Sequence, residues 1–426
     1  MILHQISVVN TLPGLVFYHI SWIGSQMAQQ DFAWHKKYNL KPLINVSGTM
    51  TSLGASIAST PIVNATAEAM SNFVSIHEAQ SLASTAIEHA TGAEAGFLTS
   101  SASAGISLSI AACMTGVDPS RVEALPIDPG PCNEIVIQAG HLCGYGAPIE
   151  QAITLTGAKV KSVGQSTLCM DHQIKGGLMS STAAGLFVVS HHTVHYGQCP
   201  LQRFIQLCHD SGVPVIVDAA SEYDLRGFIE AGADIVVYSG HKFLGGPTSG
   251  IVAGKRDLVR AAYLQNIGIG RGMKIGKESI FGTIEALGEW EKRDHETIRA
   301  QENEILEHWL EAISGFPGVF ARVVPDPTGN PLERLQVEID EATFGANAIA
   351  VARFLSELEP AIMVRNHEVE LGYFQLDPCN LKPGQVEIVR DALQKVLSKP
   401  GYLKNSPEDL EIVRNGGVNA YLEWGL

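Results

Sequence analysis

The chain has 426 residues, 45% hydrophobic and 17% charged, with a formal net charge of −15. That length and apolar share allow a large core and more than one domain, while the acidic balance argues against non-specific binding to nucleic acid or anionic membranes. Seven cysteines lie scattered without metal-type spacing, an odd number that suits a reducing cytoplasm better than a disulfide framework.

No stretch is long and apolar enough to span a bilayer. Residues 1–26 are apolar, contain Pro13-Gly14 and lack a basic start, so they fit a secretory leader poorly. They read as part of an N-terminal arm, residues 1–39, partly disordered or embracing a partner subunit. An over-extended start, with Met27 as the first residue, is the alternative. Asp31–Lys37 suggests a short helix and Leu40–Asn45 an opening strand. Pro61 starts a helix as an N1 residue does. A further helix reaches His89, and Ala95–Thr99 reads as a strand. The small, hydroxyl-rich turn Ser100–Gly105 then feeds a helix of small residues. Free backbone N–H groups and the positive dipole end make such a turn an anion site; a capped, buried helix is the other reading.

The middle of the chain carries the chemistry. Glu134–Ile137 reads as a strand leading into Gln138-Ala139-Gly140-His141. Further strands are expected at Ala158–Val163 and Ala184–Val189, the second running into Ser190-His191-His192-Thr193-Val194-His195. No carboxylate or cysteine clusters with those histidines in the sequence, so no metal is expected. Their place after a strand turns them, His191 above all, towards a cofactor or substrate. Leu201–Ser211 is the crossover helix back to Val213–Val217, a strand ending in Asp218. One strand–helix–strand unit later, Asp234–Val237 is a buried strand that leads into Tyr238-Ser239-Gly240-His241-Lys242-Phe243-Leu244-Gly245-Gly246-Pro247. As parallel neighbours these strands bring Asp218 and Lys242 to adjacent carboxyl ends, where open α/β sheets bind ligands. A lysine in apolar surroundings has its charge removed or used, and a Schiff base with an aldehyde does both. A carboxylate beside it holds the ring nitrogen of pyridoxal phosphate protonated. A surface lysine on a tight turn and a helix-capping aspartate are the plain alternatives.

The stretch Val215–Gly250 resembles the pyridoxal-phosphate enzymes of the aspartate-aminotransferase fold (fold type I). Within them it resembles the group of bacterial selenocysteine synthase, the L-seryl-tRNA(Sec) selenium transferase. That enzyme carries a Ser-Gly-Asp-Lys-Leu-Leu-Gly-Gly-Pro run, so His241 stands where it has aspartate. The pattern is also similar to D-glucosaminate-6-phosphate ammonia-lyase of the same group. The likeness runs from Leu40 to Leu397 and implies an α/β fold. A large pyridoxal-phosphate-binding domain, residues 40–285, is built on a mostly parallel seven-stranded sheet; a smaller α/β domain, residues 286–426, carries a linker helix and a tail. Pyridoxal 5′-phosphate is the implied cofactor, with Lys242 and Asp218 catalytic. Ser101, Ala102 and Ser103 are implied around its phosphate, Ser239 beside it, and His141, or Tyr145 in its stead, against the pyridine face. Thr283 falls where this fold lends a backbone donor to the partner subunit's cofactor phosphate, which makes the site complete only in a homodimer or larger homo-oligomer. In the basic, glycine-rich segment Gly268–Lys277, Arg271 has the planar fork suited to a substrate oxyanion. Arg365 ends a strand where the family has a substrate-facing arginine. Cys379 stands where selenocysteine synthase has arginine, a departure among the substrate contacts.

From Ile284 an amphipathic pattern through Leu287, Trp290, Ile298, Ile305 and Trp309 reads as one linker helix. Beyond it strands are expected at Val319–Val324, Leu335–Ile339, Ile362–Arg365 and Glu370–Leu376. Helices are expected at Asn347–Leu358 and Pro383–Leu397, with a capped terminal helix from Ser406. The resemblance implies a cytoplasmic enzyme acting at the α-carbon of a small-molecule amino-acid substrate. An α,β-elimination, with loss of water or ammonia from a hydroxylated or sugar amino acid, stands first. Racemisation or epimerisation, selenium transfer on seryl-tRNA, and a non-catalytic cofactor-binding scaffold are the alternatives. Nucleic acid is not an expected partner: the cofactor fold begins near Leu40, with no separate tRNA-binding domain before it.

Overall fold

Val215-Ile216-Val217 and Ile235-Val236-Val237 are β-branched throughout, the composition of strands buried on both faces. The computed structural model describes residues 32–406 and 409–424, and it places these two runs at the middle of the main sheet. The strands are β1 Leu43–Val46, β2 Ala95–Thr99, β3 Glu134–Gln138, β4 Lys159–Val163, β5 Thr182–Val188, β6 Val215–Asp218, β7 Ile235–Ser239, β8 Gly250–Gly254, β9 Val319–Pro325, β10 Glu333–Ile339, β11 Ala361–Val364 and β12 Tyr373–Leu376. Seven of them form one sheet in the order β2-β8-β7-β6-β5-β3-β4. Only β8 runs against its neighbours. The expected mostly parallel seven-stranded sheet is therefore present.

Alternate residues of the central strands enter two different cores. Val215, Val217, Val236 and Tyr238 face one; Ile216, Ile235 and Val237 face the other. The helix Ala102–Thr115 lies across the second face and is buried along almost all of its length. Gly105 permits that approach, since a Cβ there would stand 2.9 Å from Val237 Cγ1 and 3.0 Å from Val252 Cγ2.

A second unit has its own core. β12-β10-β9 form an antiparallel sheet, and β1 pairs in parallel with β11 from Leu43↔Ala361 to Val46↔Val364. The expected division at residues 40–285 and 286–426 needs a correction here. Ile44 and Val46 pack in the C-terminal core, so the chain visits the smaller unit before it builds the larger one. The expected single linker helix is two helices, Lys277–Lys292 and His295–Ile313. Asp294 breaks them apart by capping the second, accepting the Thr297 N–H at 3.0 Å. The expected strand Glu370–Leu376 starts only at Tyr373, because Val369–Leu371 form a 3₁₀ turn. The terminal helix Asp409–Glu423 is tied down by Arg353 Nε to Asp409 Oδ1 at 2.9 Å and by Arg414 to Glu370, also at 2.9 Å. Residues 1–31 of the expected arm lie outside the described residues.

Candidate active site

The parallel register levels the strand ends. Val188 lies opposite Asp218, and Asp218 opposite Val237. The segments leaving β2, β3, β5, β6 and β7 therefore open on one rim of the sheet, the edge that parallel α/β sheets offer to ligands. Asp218 ends β6 and is buried; it accepts the Ala220 N–H at 3.1 Å. Burial pushes its carboxyl up to about 6, with the Ala220 N–H and Lys242 pulling the other way. Lys242 follows β7, half-buried, and donates to Ser221 Oγ. Burial holds its amine below the usual lysine range, while Asp218 and Glu222 pull it back up. Glu222 is buried too, and accepts from Thr328 Oγ1 at 3.2 Å. Burial and the neighbouring Asp326 push its carboxyl up to about 8, so it keeps its proton at neutral pH.

The turn after β2 opens the buried helix Ala102–Thr115. Ser101 caps it, accepting the Ala104 N–H at 3.1 Å, and Ser103 bonds Tyr145 Oη at 3.0 Å. The first-turn N–H groups of Ala102 and Ser103 have no intrahelical acceptor by helix geometry. Tyr145 lies within electrostatic reach of Asp218, which connects this turn with the lysine end of the site. His141 is buried, and its Nδ1 accepts the Val188 N–H at 3.1 Å. Its ring meets Phe187 edge-on at 4.5 Å, and burial, helped by His195, lowers its pKa to about 4. The imidazole is thus a fixed, neutral wall at the end of β3. Ser239 is the buried last residue of β7.

Two expected residues sit differently. Thr283 lies inside the helix Lys277–Lys292, fully buried; its hydroxyl bonds Ser249 Oγ at 2.8 Å and donates to Ser279 O at 2.7 Å. A backbone N–H inside a helix is already used by the helix ladder, so Thr283 does not fit the role of donor to a partner subunit. Arg271 is exposed on the 3₁₀ turn Ile269–Met273. Ile269 and Met273 of that turn pack against the core that holds Ala102 and Ile106, and the Ser100 N–H donates to Met273 O at 3.4 Å.

Arg365 leaves β11 and is buried, at 8% exposure. His367 follows it and meets His191 and His192, which follow β5. Ring centroids are 3.8 Å apart for His191–His192, 5.3 Å for His191–His367 and 5.5 Å for His192–His367. His192 is within electrostatic reach of Lys242. Behind them Arg334 forms a buried ion triad, Nη1 to Asp326 Oδ2 at 2.6 Å and Nε to Asp377 Oδ2 at 3.0 Å. Gly48, at φ +83°, lets the segment after β1 lie against that triad; a Cβ there would stand 2.9 Å from Asp377 Oδ2. Cys379 donates its N–H to Asp377 Oδ1 at 3.0 Å.

Ser221, Glu222, His367 and Arg334 escaped the sequence reading as site residues, whereas the place of His192 after a strand already turns it towards a cofactor or substrate. Glu222 alone carried a local signal, a second carboxylate one turn beyond Asp218. His367 carried none, since only tertiary packing brings it to His191.

Residues 149–371 match the family model described as L-seryl-tRNA selenium transferase. The chain is 37% identical over 362 residues to D-glucosaminate-6-phosphate ammonia lyase of Salmonella typhimurium, covering 85% of this chain and 97% of that protein. It is 35% identical over 371 residues to the 5′-C-glycyluridine monooxygenase-decarboxylase of a Streptomyces species, covering 86% and 93%. A solved structure of D-glucosaminate-6-phosphate ammonia-lyase superposes with a TM-score of 0.78 at 36% identity, over 86% of this chain and 99% of that one. Aspartate aminotransferase from Thermus thermophilus, at 13% identity and a TM-score of 0.52 over 87% and 94% of the two chains, shares the fold. Sheet order, strand-end chemistry and sequence agree, and the chain belongs to the L-seryl-tRNA selenium transferase family.

Proposed function

We propose that this chain is a pyridoxal-phosphate-dependent lyase that removes ammonia from a hydroxylated amino acid of the sugar-acid kind, by α,β-elimination. The observation that carries the reading is the Lys242 amine beside the buried Asp218 carboxylate at neighbouring strand ends, in a chain 37% identical to D-glucosaminate-6-phosphate ammonia lyase. The residues present fit the cofactor. Lys242 would hold its aldehyde carbon, Asp218 its ring nitrogen, and the N–H groups of Ala102 and Ser103 its phosphate.

When bound, pyridoxal phosphate withdraws electrons from the substrate's α-carbon and makes its proton acidic. Lys242 Nζ takes that proton; burial lowers its pKa and so enlarges the share of neutral amine at working pH. Asp218, ionised above about 6, keeps a proton on the ring nitrogen. Glu222, protonated below about 8, gives a proton to the hydroxyl leaving the β-carbon. Water lost there is regained when the released enamine hydrolyses, so the net change is loss of ammonia and formation of a 2-oxo acid.

The comparable identity to a monooxygenase-decarboxylase supports a second reading, oxidative decarboxylation of an amino acid with uptake of oxygen. We also infer a homodimer or larger homo-oligomer. Val63, Met70, Phe73, Ile76 and Leu82 are exposed on and between the helices Thr60–Met70 and Ile76–Thr91, an apolar face suited to a second copy. Seven free thiols suit the cytoplasm, and among the described residues no helix is long and apolar enough to cross a membrane.

The test is direct. Protein loaded with pyridoxal phosphate is incubated with D-glucosaminate 6-phosphate, and equal amounts of ammonia and 2-oxo acid are expected, without oxygen uptake. Lys242→Ala is expected to lose both turnover and the visible absorbance of the loaded protein. Oxygen uptake with carbon dioxide release replaces the first reading by the second. Deuterium entering a scrambled α-carbon without ammonia indicates racemisation, and inertness across a broad amino-acid panel refutes the lyase reading.

A further inference from the structure

The imidazoles of His191, His192 and His367 converge from two distant segments. One ring nitrogen from each lies within 4.8 Å of the others. The rings are inclined at 44°, 51° and 85° to one another, so the three imidazoles are not coplanar. His191 Nε2 is buried without a hydrogen-bond partner. Arg365 is buried beside them, and Glu368, Asp377 and Asp326 act on it only at a distance, without a hydrogen bond to its guanidinium. Arg365 acts electrostatically on all three imidazoles, and a buried cation and an unpaired ring nitrogen are each costly unless a ligand pairs with them.

Two ligand classes take three imidazoles, a divalent cation and a tetrahedral anion. Charge decides between them. A divalent cation would meet the charge of the Arg365 guanidinium, which acts on all three rings, and among the described residues none of the three histidines bonds a carboxylate, the usual partner of a metal-bound imidazole. An anion is attracted by the same guanidinium and accepts N–H bonds from all four groups. A planar carboxylate satisfies an arginine fork alone, whereas three non-coplanar ring donors match the three terminal oxygens of a phosphate monoester. We propose that His191, His192, His367 and Arg365 form the subsite for a phosphate monoester at the far end of the amino-acid substrate, whose reacting end lies at Lys242. This rests on the lyase reading, and it makes the substrate a phosphorylated hydroxy amino acid.

The test uses the cofactor-loaded protein, whose own phosphate site is filled, and reads binding rather than turnover. 6-Phosphogluconate carries the phosphate without a reactive amine, and gluconate lacks both. Calorimetry is expected to show 6-phosphogluconate bound about 10-fold or more tighter than gluconate, the worth of charge-assisted hydrogen bonds. His192→Gln and His367→Gln, both at exposed positions, are each expected to remove most of that preference, weakening 6-phosphogluconate far more than gluconate. Equal binding of the two acids, or a preference that survives both substitutions, overturns the proposal. So does a preference lost in Arg271→Gln instead, or stoichiometric zinc uptake that blocks 6-phosphogluconate. The two readings fail separately. If the phosphate preference holds but no ammonia is released, the subsite stands and the reaction falls. If ammonia comes equally fast from phosphorylated and unphosphorylated D-glucosaminate, the reaction stands and the subsite falls.

Discussion

Glu222→Gln separates function from stability in a way that the geometry makes quantitative. In the folded protein burial pushes this carboxyl to about 8, against an ordinary value of 4.5. Below 4.5 it is protonated in folded and unfolded chains alike and contributes nothing to the pH dependence. Between 4.5 and about 8 the folded protein keeps a proton that the unfolded chain releases, so stability falls as pH rises, and above 8 the loss is complete. At ~1.4 kcal/mol per pH unit, that gap sets a ceiling of roughly 5 kcal/mol. Gln has the same shape, carries no charge, and still offers an oxygen to Thr328 Oγ1. The variant is therefore expected to be more stable than the parent at pH 8.5 by about 1–4 kcal/mol, and nearly equal to it at pH 4.5. Urea unfolding of the cofactor-loaded protein at the two pH values measures this. The same substitution removes the acid assigned to the leaving hydroxyl. Turnover is expected to fall roughly 100-fold, and the descending limb of the parent's pH profile near 8 should be missing from the residual activity. A variant that keeps full activity, or gains nothing in stability between the two pH values, refutes the assignment of Glu222 as a buried, protonated acid.

Asp218→Asn is expected to lower turnover by about 100-fold or more while the visible absorbance of bound cofactor remains, because electrostatic support of the ring nitrogen goes but the amine stays; a variant losing less than 10-fold contradicts the pairing. Arg334→Leu strands Asp326 and Asp377 as buried, unpaired carboxylates. A cost of about 3–5 kcal/mol in urea unfolding is expected. Placing aspartate at both Phe73 and Leu82 is expected to shift sedimentation from an oligomer towards the monomer; an unchanged species moves the interface elsewhere.

The sequence by itself determined the local and the periodic. Unbroken β-branched runs such as Val215–Val217 and Ile235–Val237 identify strands buried on both faces, and they place a carboxylate and a lysine, the pair proposed as reactive, after neighbouring strands. These features survive because strand periodicity and strand-end chemistry lie within a few residues of one another. Tertiary structure decided what depends on distant segments meeting. β1 pairs with β11 although more than three hundred residues separate them, and His367 meets His191 and His192 only because the segment after β11 packs against the segment after β5. Thr283 is decided the same way, since helix position and burial overrule motif position. Burial pushes the Glu222 carboxyl up to about 8, and the loop at Asp326–Asn330 that bonds it comes from a distant part of the chain. A side chain's burial, and so its charge, is set by what packs over it.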